Sequence, residues 1–350
     1  MSGLRFDGGC VYSEHRERWL RWVPSQGRRP QLVRVATHLG IAATLLLGCS
    51  SRETLPPPTL DPELYGAGLF STGEWDFFLA FSPDQRRVLF CRANDDFSVY
   101  QIYETRCDPG GRWSAPTTPR FAGSWSNADP HIAPDGRRVF FISNRPGPGE
   151  TGSQGTFDIW CATLDRDGEW GDAQRLPSPI SVSGVDEWSP SVAANGNLYF
   201  GSERRTGLGG LDLWVARRVG DTYEPPVNLG DSINTLGSEV EPWIAPDESY
   251  LLFSGKARAD SVGKYDIYLS RRERGVWQRA RLVRAGINTG WFDFNQSVSP
   301  DGQWLYFSST RPYAGPLGDR FDTPRNDSMV AGIGNGKGDI YRIPLRALGL

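Results

Sequence analysis

The chain has 350 residues, of which 41 are Gly, 26 are Pro and 12% are aromatic, and its formal net charge is −3. The length allows two domains or one large all-β domain. The composition favours the latter, because Gly and Pro punctuate turns and aromatic side chains suit half-buried strands. The slightly acidic balance excludes the basic footprint of a nucleic-acid-binding protein, so no nucleic-acid partner is expected.

The N-terminal part resembles an export and lipidation signal. Arg28, Arg29 and Arg34 precede the apolar run 39–47, which ends at Gly48 and Cys49. About nine apolar residues after a basic region are typical of a secretory signal, since a membrane span needs about 20. The sequence Leu-Leu-Gly-Cys over 46–49 resembles the bacterial lipobox, which implies a lipid-modified Cys49.

This pattern predicts three parts of the chain. Residues 1–48 form a leader, although 1–31 look unlike a signal and indicate a start codon placed too early. Residues 49–61 form the lipidated Cys49 and a Pro-rich, extended tether, and 62–350 form the folded domain. The expected location is the cell envelope, lipid-anchored. Because Ser50 follows the Cys, resemblance to other lipoproteins implies the outer membrane, with the domain periplasmic or exposed at the surface.

The folded domain repeats one pattern five times. A Pro-Asp-Gly turn or a relic of it precedes an apolar-aromatic run, then a polar loop, then a triplet such as Asp158-Ile159-Trp160. A period of roughly 50 residues built of short strands indicates a repeat architecture. The turns occupy 82–84, 133–136, 194–196, 245–247 and 299–302.

Each repeat contains four short strands, which is the composition of a propeller blade. An aromatic residue follows the triplet by nine or ten residues in four repeats and marks the outer strand, at Trp113, Trp170, Tyr223 and Trp277. The fifth repeat has none. We therefore predict an all-β, five-bladed β-propeller of four-stranded blades in which an N-terminal strand within 64–74 closes the last blade. Six blades are the alternative, if 311–338 hides another.

These motifs carry a family resemblance. Ser-Pro-Asp-Gly over 299–302, Leu-Tyr-Phe-Ser-Ser over 305–309 and Asp-Ile-Tyr over 339–341 resemble the WD40-like propeller repeat of TolB and of related envelope proteins. The resemblance covers roughly 62–350 and implies a propeller that acts through a partner. Gln101 and Ala194-Asn195 depart from the pattern in single repeats.

Acidic residues recur seven positions before each turn proline or its replacement. If they begin the innermost strands, they form a ring near one mouth of the channel that could bind a cation or a cationic peptide. The alternative is pairing with the basic residues Arg92, Arg145, Arg205, Arg258 and Arg311. The recurring residues are Asp76, Asn127, Glu187, Glu239 and Asp293, of which the four carboxylates are the candidate binding residues. The triplet residues Asp158, Asp212, Asp266 and Asp339 are expected to fix turns.

No catalytic residue, metal site or cofactor is predicted. His131 is the one His after the leader, and no nucleophile elbow or zinc motif accompanies it. Cys91, Cys107 and Cys161 are expected to be buried free thiols, with a disulfide as the alternative. The loop 312–337 is the best local candidate for binding, because long loops on rigid scaffolds often bind.

The leading functional hypothesis is a non-catalytic lipoprotein whose propeller binds a protein or an envelope polymer. The alternative is a glycan-active hydrolase that uses carboxylates in the channel, because five-bladed propellers also host glycosidases and these use paired carboxyl groups. The spacing of the acids singles out no pair, so the enzyme assignment stays uncertain and leans towards no activity. The oligomeric state is left open.

Overall fold

The computed structural model describes residues 61–147, 149–151, 155–284, 286–313, 315 and 332–350. The leader, Cys49 and most of the loop 312–337 lie outside these residues. The described part consists of antiparallel sheets with one short 3-10 helix, Leu345–Leu348. None of its helices has the length and apolar character needed to cross a membrane.

Five sheets follow one another along the chain and form the five blades of a β-propeller. The described chain starts with the closing strand β1 (Glu63–Leu64). Blade one contains β2 (Trp75–Phe81), β3 (Arg87–Ala93) and β4 (Tyr100–Arg106). Blade two contains β5 (Asn127–Ile132), β6 (Arg138–Ser143), β7 (Asp158–Thr163) and β8 (Gln174–Arg175). The fourth strand of blade one is reduced to two isolated bridges, Glu104 to Thr117 and Cys107 to Trp113.

Blades three to five continue the same order, with small hairpins at the outer edges of blades three and four. Blade three contains β9 (Glu187–Val192), β10 (Leu198–Ser202), β11 (Asp212–Ala216), β12 (Arg218–Val219), β13 (Thr222–Tyr223) and β14 (Val227–Asn228). Blade four contains β15 (Ser238–Ile244), β16 (Tyr250–Lys256), β17 (Asp266–Glu273), β18 (Val276–Trp277) and β19 (Arg281–Leu282). Blade five contains β20 (Asp293–Val298), β21 (Trp304–Ser309) and β22 (Asp339–Pro344).

The ring closes through its N-terminal strand. Strand β1 pairs antiparallel with β22, with Leu64 opposite Tyr341, and completes blade five as its outer strand. Closure removes the open edge that an incomplete last sheet would present. The predicted five blades and N-terminal closure are thus confirmed, and the six-bladed alternative is wrong.

The Pro-Asp-Gly turns join the first two strands of each blade. Gly136 and Gly302 have φ of 68° and 69°, while Gln85 and Glu248 take the same conformation without being Gly. The Asp of each turn, or Asn195 in blade three, accepts a backbone N–H two residues later, as Asp135 Oδ1 does from Arg137 at 2.8 Å. Such side-chain-to-backbone bonds fix turns, so local chemistry sets where each innermost strand ends.

A recurring arginine contact, which we call the arginine clamp, begins each innermost strand. In blade four, Arg258 Nη1 donates to Glu239 Oε1 and to the carbonyl of Ile233, both at 2.7 Å, and its guanidinium carbon lies 4.4 Å from the ring centre of Tyr268. Ile233 belongs to the connection from blade three, so the clamp ties one blade to the next. The five clamp pairs are Arg92–Asp76, Arg145–Asn127, Arg204–Glu187, Arg258–Glu239 and Arg311–Asp293.

One partner differs from the sequence prediction. Arg204 rather than Arg205 binds Glu187, at 3.2 Å, whereas Arg205 is exposed. Arg205 lies in the turn that follows β10 and points into solvent, so Arg204 is the residue that reaches the buried carboxylate.

We expect Arg258→Met to lower the free energy of unfolding by about 3 kcal/mol or more, because it leaves the buried Glu239 carboxylate without its cation. Urea denaturation measures the change. The control Arg120→Met breaks an ion pair with Asp172 whose side chains are 72% and 80% exposed, and it is expected to cost less than about 1 kcal/mol. Equal losses in the two variants would contradict a structural role for the clamp.

Candidate functional site

Each innermost strand contains a β-bulge two residues after its clamp position. The pairing with the second strand shifts register there in all five blades, and one residue takes a positive φ of 49° to 61°. That conformation is uncommon for residues other than Gly, and a bulge re-aims a side chain. We call these the bulge residues: Phe78, Asp129, Ser189, Glu241 and Asn295.

Bulge residues of neighbouring blades contact one another. Ser189 Oγ of blade three donates to Asp129 Oδ2 of blade two at 2.6 Å, and the backbone N–H of Asn295 in blade five donates to Glu241 Oε2 of blade four at 2.8 Å. The side chain of Gln296 also donates to the carbonyl of Glu241. Asp129 and Glu241 thus occupy equivalent positions on the innermost strands of blades two and four.

Both carboxyl groups have a raised pKa. Asp129 is 7% exposed, and its burial raises the pKa to about 6, against the lowering effect of the hydrogen bonds from Ser189. Burial also raises the pKa of Glu241 to about 7, and the negative charge of Asp129 raises it further. At a pH between these two values, Asp129 is mostly ionised and Glu241 is mostly protonated.

An apolar cavity of about 260 Å³ lies within the channel on the side of the Pro turns. Phe78, Pro130, Trp243 and Ser297 contribute to its lining. Phe78 is the bulge residue of blade one, and Pro130 directly follows Asp129. Asp129 and Glu241 themselves do not contribute to the lining.

The predicted binding residues occupy other positions. Asp76, Glu187, Glu239 and Asp293 are all 0% exposed and sit in the arginine clamps. Burial raises the pKa of Asp76, Glu187 and Glu239, while the facing Arg lowers it in each case. A ligand-binding role for these four carboxylates stays a prediction.

The sequence prediction missed Asp129 and Glu241. It selected the recurring positions two residues earlier, Asn127 and Glu239. A usable signal was present. At the clamp position the residue type repeats as an acid or an amide, whereas at the bulge position it varies among Phe, Asp, Ser, Glu and Asn. A position that keeps its geometry but changes its chemistry from repeat to repeat is a candidate for function rather than for packing.

Other candidate residues have structural contacts. Asp212 and Asp266 accept backbone N–H bonds from Leu208 and Val262 in the preceding loops, the second at 2.9 Å, as expected of turn-fixing residues. His131 Nε2 lies 3.3 Å from the carbonyl of Val192, and burial lowers its pKa to about 4.

The three cysteines are free, and a metal-binding cluster is not found in the described part of the chain. Cys91 is buried, but Cys107 and Cys161 keep intermediate exposure, so the expectation of buried thiols holds for one of the three. Among the residues that the structure describes, no three His, Cys, Asp or Glu side chains are grouped so that they could hold a metal ion.

Comparison with known proteins supports the propeller fold. No family model matches the chain, and no curated protein matches it. Among similar solved structures is a glycoside hydrolase, with a TM-score of 0.50 and 11% identity over 82% of this chain and 92% of the other. Others are a native arabinanase from Bacillus subtilis (TM-score 0.47, 12% identity, 79% and 95% covered) and a GH43 endo-arabinanase from Bacillus licheniformis (0.45, 15%, 81% and 96%).

These findings correct the functional prediction. The similar propeller with a TM-score of 0.50 is named a glycoside hydrolase, which goes against the non-catalytic scaffold as the main hypothesis. The lean towards no enzymatic activity conflicts weakly with the same finding. At identities of 11 to 15% the likeness shows the fold alone, and the sequence resemblance to TolB in particular stays a prediction.

We expect the free energy of unfolding of Asp129→Asn, taken relative to the wild type, to be higher at pH 8 than at pH 4. The pKa of Asp129 is about 6 in the folded state and about 3.9 in the unfolded chain. The unfolded state therefore loses this proton first as pH rises, and the wild type loses stability between about pH 4 and pH 6. Asn cannot ionise, so the difference between variant and wild type should move by about 2–3 kcal/mol in favour of the variant.

Urea denaturation at the two pH values measures this difference. The control Asp172→Asn removes a carboxyl group that is 80% exposed, and its effect should be nearly the same at both. A pH-independent difference for Asp129→Asn would show that this carboxyl group is not perturbed.

Proposed function

We propose that this protein is a glycan-active hydrolase whose acid–base pair is Asp129 and Glu241. The observation that carries the proposal is that two carboxyl groups on the bulges of blades two and four interact electrostatically and both have a raised pKa. Glycosidases in general act with a pair of carboxyl groups, one protonated and one ionised. A similar propeller that is named a glycoside hydrolase supports the same reaction class.

The contacts suggest which group takes which role. Glu241 has the higher pKa, about 7, so it is the group that keeps its proton and protonates the leaving oxygen of the glycosidic bond. Asp129 accepts a hydrogen bond from Ser189, which stabilises its charged form. It therefore serves as the carboxylate, either as a base towards water or as a nucleophile towards the sugar.

Environment, rather than residue type, separates the two roles. Asp129 is buried and Glu241 is half-buried, and the charge of ionised Asp129 makes ionisation of Glu241 harder. Activity then requires the singly ionised pair. We expect a bell-shaped pH dependence with its maximum between about pH 6 and pH 7.

We expect Asp129→Asn and Glu241→Gln each to reduce turnover by at least about 100-fold, the usual contribution of a positioned acid or base. Release of reducing ends from a panel of oligosaccharides and polysaccharides measures turnover, with circular dichroism as the test of folding. Asp172→Asn, an exposed control, should retain wild-type rates. Full activity in either channel variant, or no turnover of any glycan by the wild type, would contradict the proposal.

We further propose that the protein acts in the cell envelope, lipid-anchored through Cys49, so that the membrane and a glycan are its partners. The support is the lipobox-like sequence over 46–49, which lies outside the described residues. Mass spectrometry of the protein isolated from membranes should find a modified Cys49 at its N-terminus. A mature N-terminus elsewhere, or an unmodified Cys49, would contradict this location.

A further inference from the structure

We propose that the cleft between blades two and three binds a carboxylate group, and that this group belongs to an acidic sugar of the substrate. The second half of the proposal rests on the proposed hydrolase function. The first half rests on the side chains that line the cleft and on its comparison with the same cleft between other blades.

The cleft lies where the outer hairpin of blade three faces blade two, and it has a volume of about 290 Å³. Arg138 of β6 and Cys161 of β7 line it from one side, and Arg218 of β12 and Tyr223 of β13 line it from the other. A cavity of about 150 Å³ is enough to bind benzene. The cleft therefore has room for one substituted ring.

Two guanidinium groups in the cleft have unused donors. Arg138 Nε donates to Asp135 Oδ2 at 2.8 Å, but its two Nη groups make no hydrogen bond within the described residues. Arg218 Nε donates to the carbonyl of Gly220 at 2.8 Å, and its Nη2 lies 3.5 Å from Asp221, whose side chain is fully exposed. In the described structure, no Nη of these two Arg residues is a buried atom without a partner, so the unused donors are open to solvent.

The lining carries more positive than negative charge. Arg175 is its third Arg, and Asp221 is the one acid among the described residues that line it. Arg175 donates to Asp158 Oδ1 at 2.9 Å and to Glu150 Oε1 at 3.5 Å. It is therefore less available to a ligand than the other two Arg residues.

Both available cations lie near one phenol. Burial raises the pKa of Tyr223, while the charges of Arg138 and Arg218 lower it. Arg forms strong, often bidentate hydrogen bonds with carboxylates, and a carboxylate has acceptor sites left for a hydroxyl donor. An anionic ligand at this point meets two guanidinium groups and one hydroxyl.

The next cleft around the ring shows which group such a site takes. Between blades three and four, Glu248 Oε1 accepts from Asn197 Nδ2 and from the Tyr199 hydroxyl, both at 2.8 Å. Its other oxygen accepts from Arg272 Nη1 at 2.7 Å. The chain itself thus fills this cleft with a carboxylate, which comes from the last residue of the turn in blade four.

The cleft between blades two and three has the same frame without that carboxylate. Arg218 and Arg272 occupy the same place in their hairpins, each paired with an aromatic residue. The turn residue that corresponds to Glu248 is Gly196, which lies against the side chain of Arg218 and has none of its own. The position of the missing carboxylate is therefore left to a ligand.

The charge of this cleft sets it apart from its neighbours. Arg138 stands where the cleft between blades three and four has the neutral Asn197, which adds a second cation. The cleft between blades one and two also has Gly at the end of its turn, Gly136, but Leu164 stands in the place of Arg218. A carboxylate receptor with two Arg residues and no internal carboxylate is thus found between blades two and three.

The remaining lining suits a sugar ring. Thr163 and Gln174 offer a hydroxyl and an amide, and Tyr223 offers a ring face as well as its hydroxyl. These groups donate and accept hydrogen bonds, as the hydroxyls of a sugar require. Arg138 directly follows the turn 133–136, and Pro134 of that turn lines the channel cavity. The cleft therefore lies on the same side of the propeller as that cavity.

The binding test uses the whole protein with glucuronate and galacturonate as probes, and glucose and galactose as their neutral counterparts. Ligand-observed NMR titration measures saturable binding. The uronates should bind at least about tenfold more tightly than the neutral sugars, because hydrogen bonds to charged groups contribute more than neutral ones. Added salt should weaken uronate binding, since salt screens charges near the surface.

Two variants remove one cation each. Arg218→Met and Arg138→Met should each weaken uronate binding by about tenfold or more. The matched control is Arg217→Met, which removes the same charge from an exposed neighbour that does not line the cleft, and it should retain wild-type affinity. Circular dichroism tests folding, and the two variants lie in different blades, so either one suffices if the other is unfolded.

Three results would overturn the cleft proposal: no saturable uronate binding, equal binding of the neutral sugars, or equal weakening by the Arg217→Met control. Inorganic phosphate is the further probe. If phosphate displaces the uronates and binds as tightly as they do, the assignment to an acidic sugar is wrong.

Turnover separates this proposal from the proposed function. Glycans that contain uronic acid should be cleaved with a lower KM than their neutral counterparts, and Arg218→Met should remove that difference. Uronate binding without turnover of any glycan would overturn the hydrolase function alone. Turnover without uronate binding, or with equal KM for acidic and neutral glycans, would overturn the cleft proposal alone.

Discussion

The buried guanidinium of the arginine clamp is the interaction on which the rest of the molecule depends. A charge in a protein interior is costly unless its hydrogen bonds and its counter-charge are supplied. Here each Arg donates to the start of one blade and to the connection that precedes it, as Arg258 does to Glu239 and Ile233. In blade two the partner is the neutral Asn127, and burial lowers the pKa of Arg145 to about 10.

Fixing the start of every innermost strand also fixes the position of its bulge. The bulge comes two residues later in all five blades, so five side chains arrive at one level of the channel. Their positive φ costs backbone energy, which the surrounding ladders and clamps offset. Because the scaffold does not depend on which side chain stands at the bulge, this position is free to carry chemistry. In blades two and four the bulge position holds Asp129 and Glu241. In blade one it holds Phe78, which contributes to the wall of the cavity.

The channel thus combines two environments that reinforce each other. The same burial that keeps the cavity apolar raises the pKa of the two carboxyl groups beside it. An apolar neighbour favours the protonated form of an acid, and a protonated acid is the form that a leaving oxygen requires. A polar, open channel with the same two residues would leave both ionised at neutral pH.

The sequence by itself determined the number of blades, their order and the closure at β1, because these depend on local turn chemistry and on a period that one chain displays five times. It also indicated the pairing of the repeated acids with Arg, apart from the choice between Arg204 and Arg205, which depends on the turn after β10. Only the tertiary structure decided that Asp129 and Glu241 face one channel. They lie in different blades, their exposure and pKa depend on neighbours far away in the chain, and a register shift within a strand leaves no mark in the hydrophobic pattern.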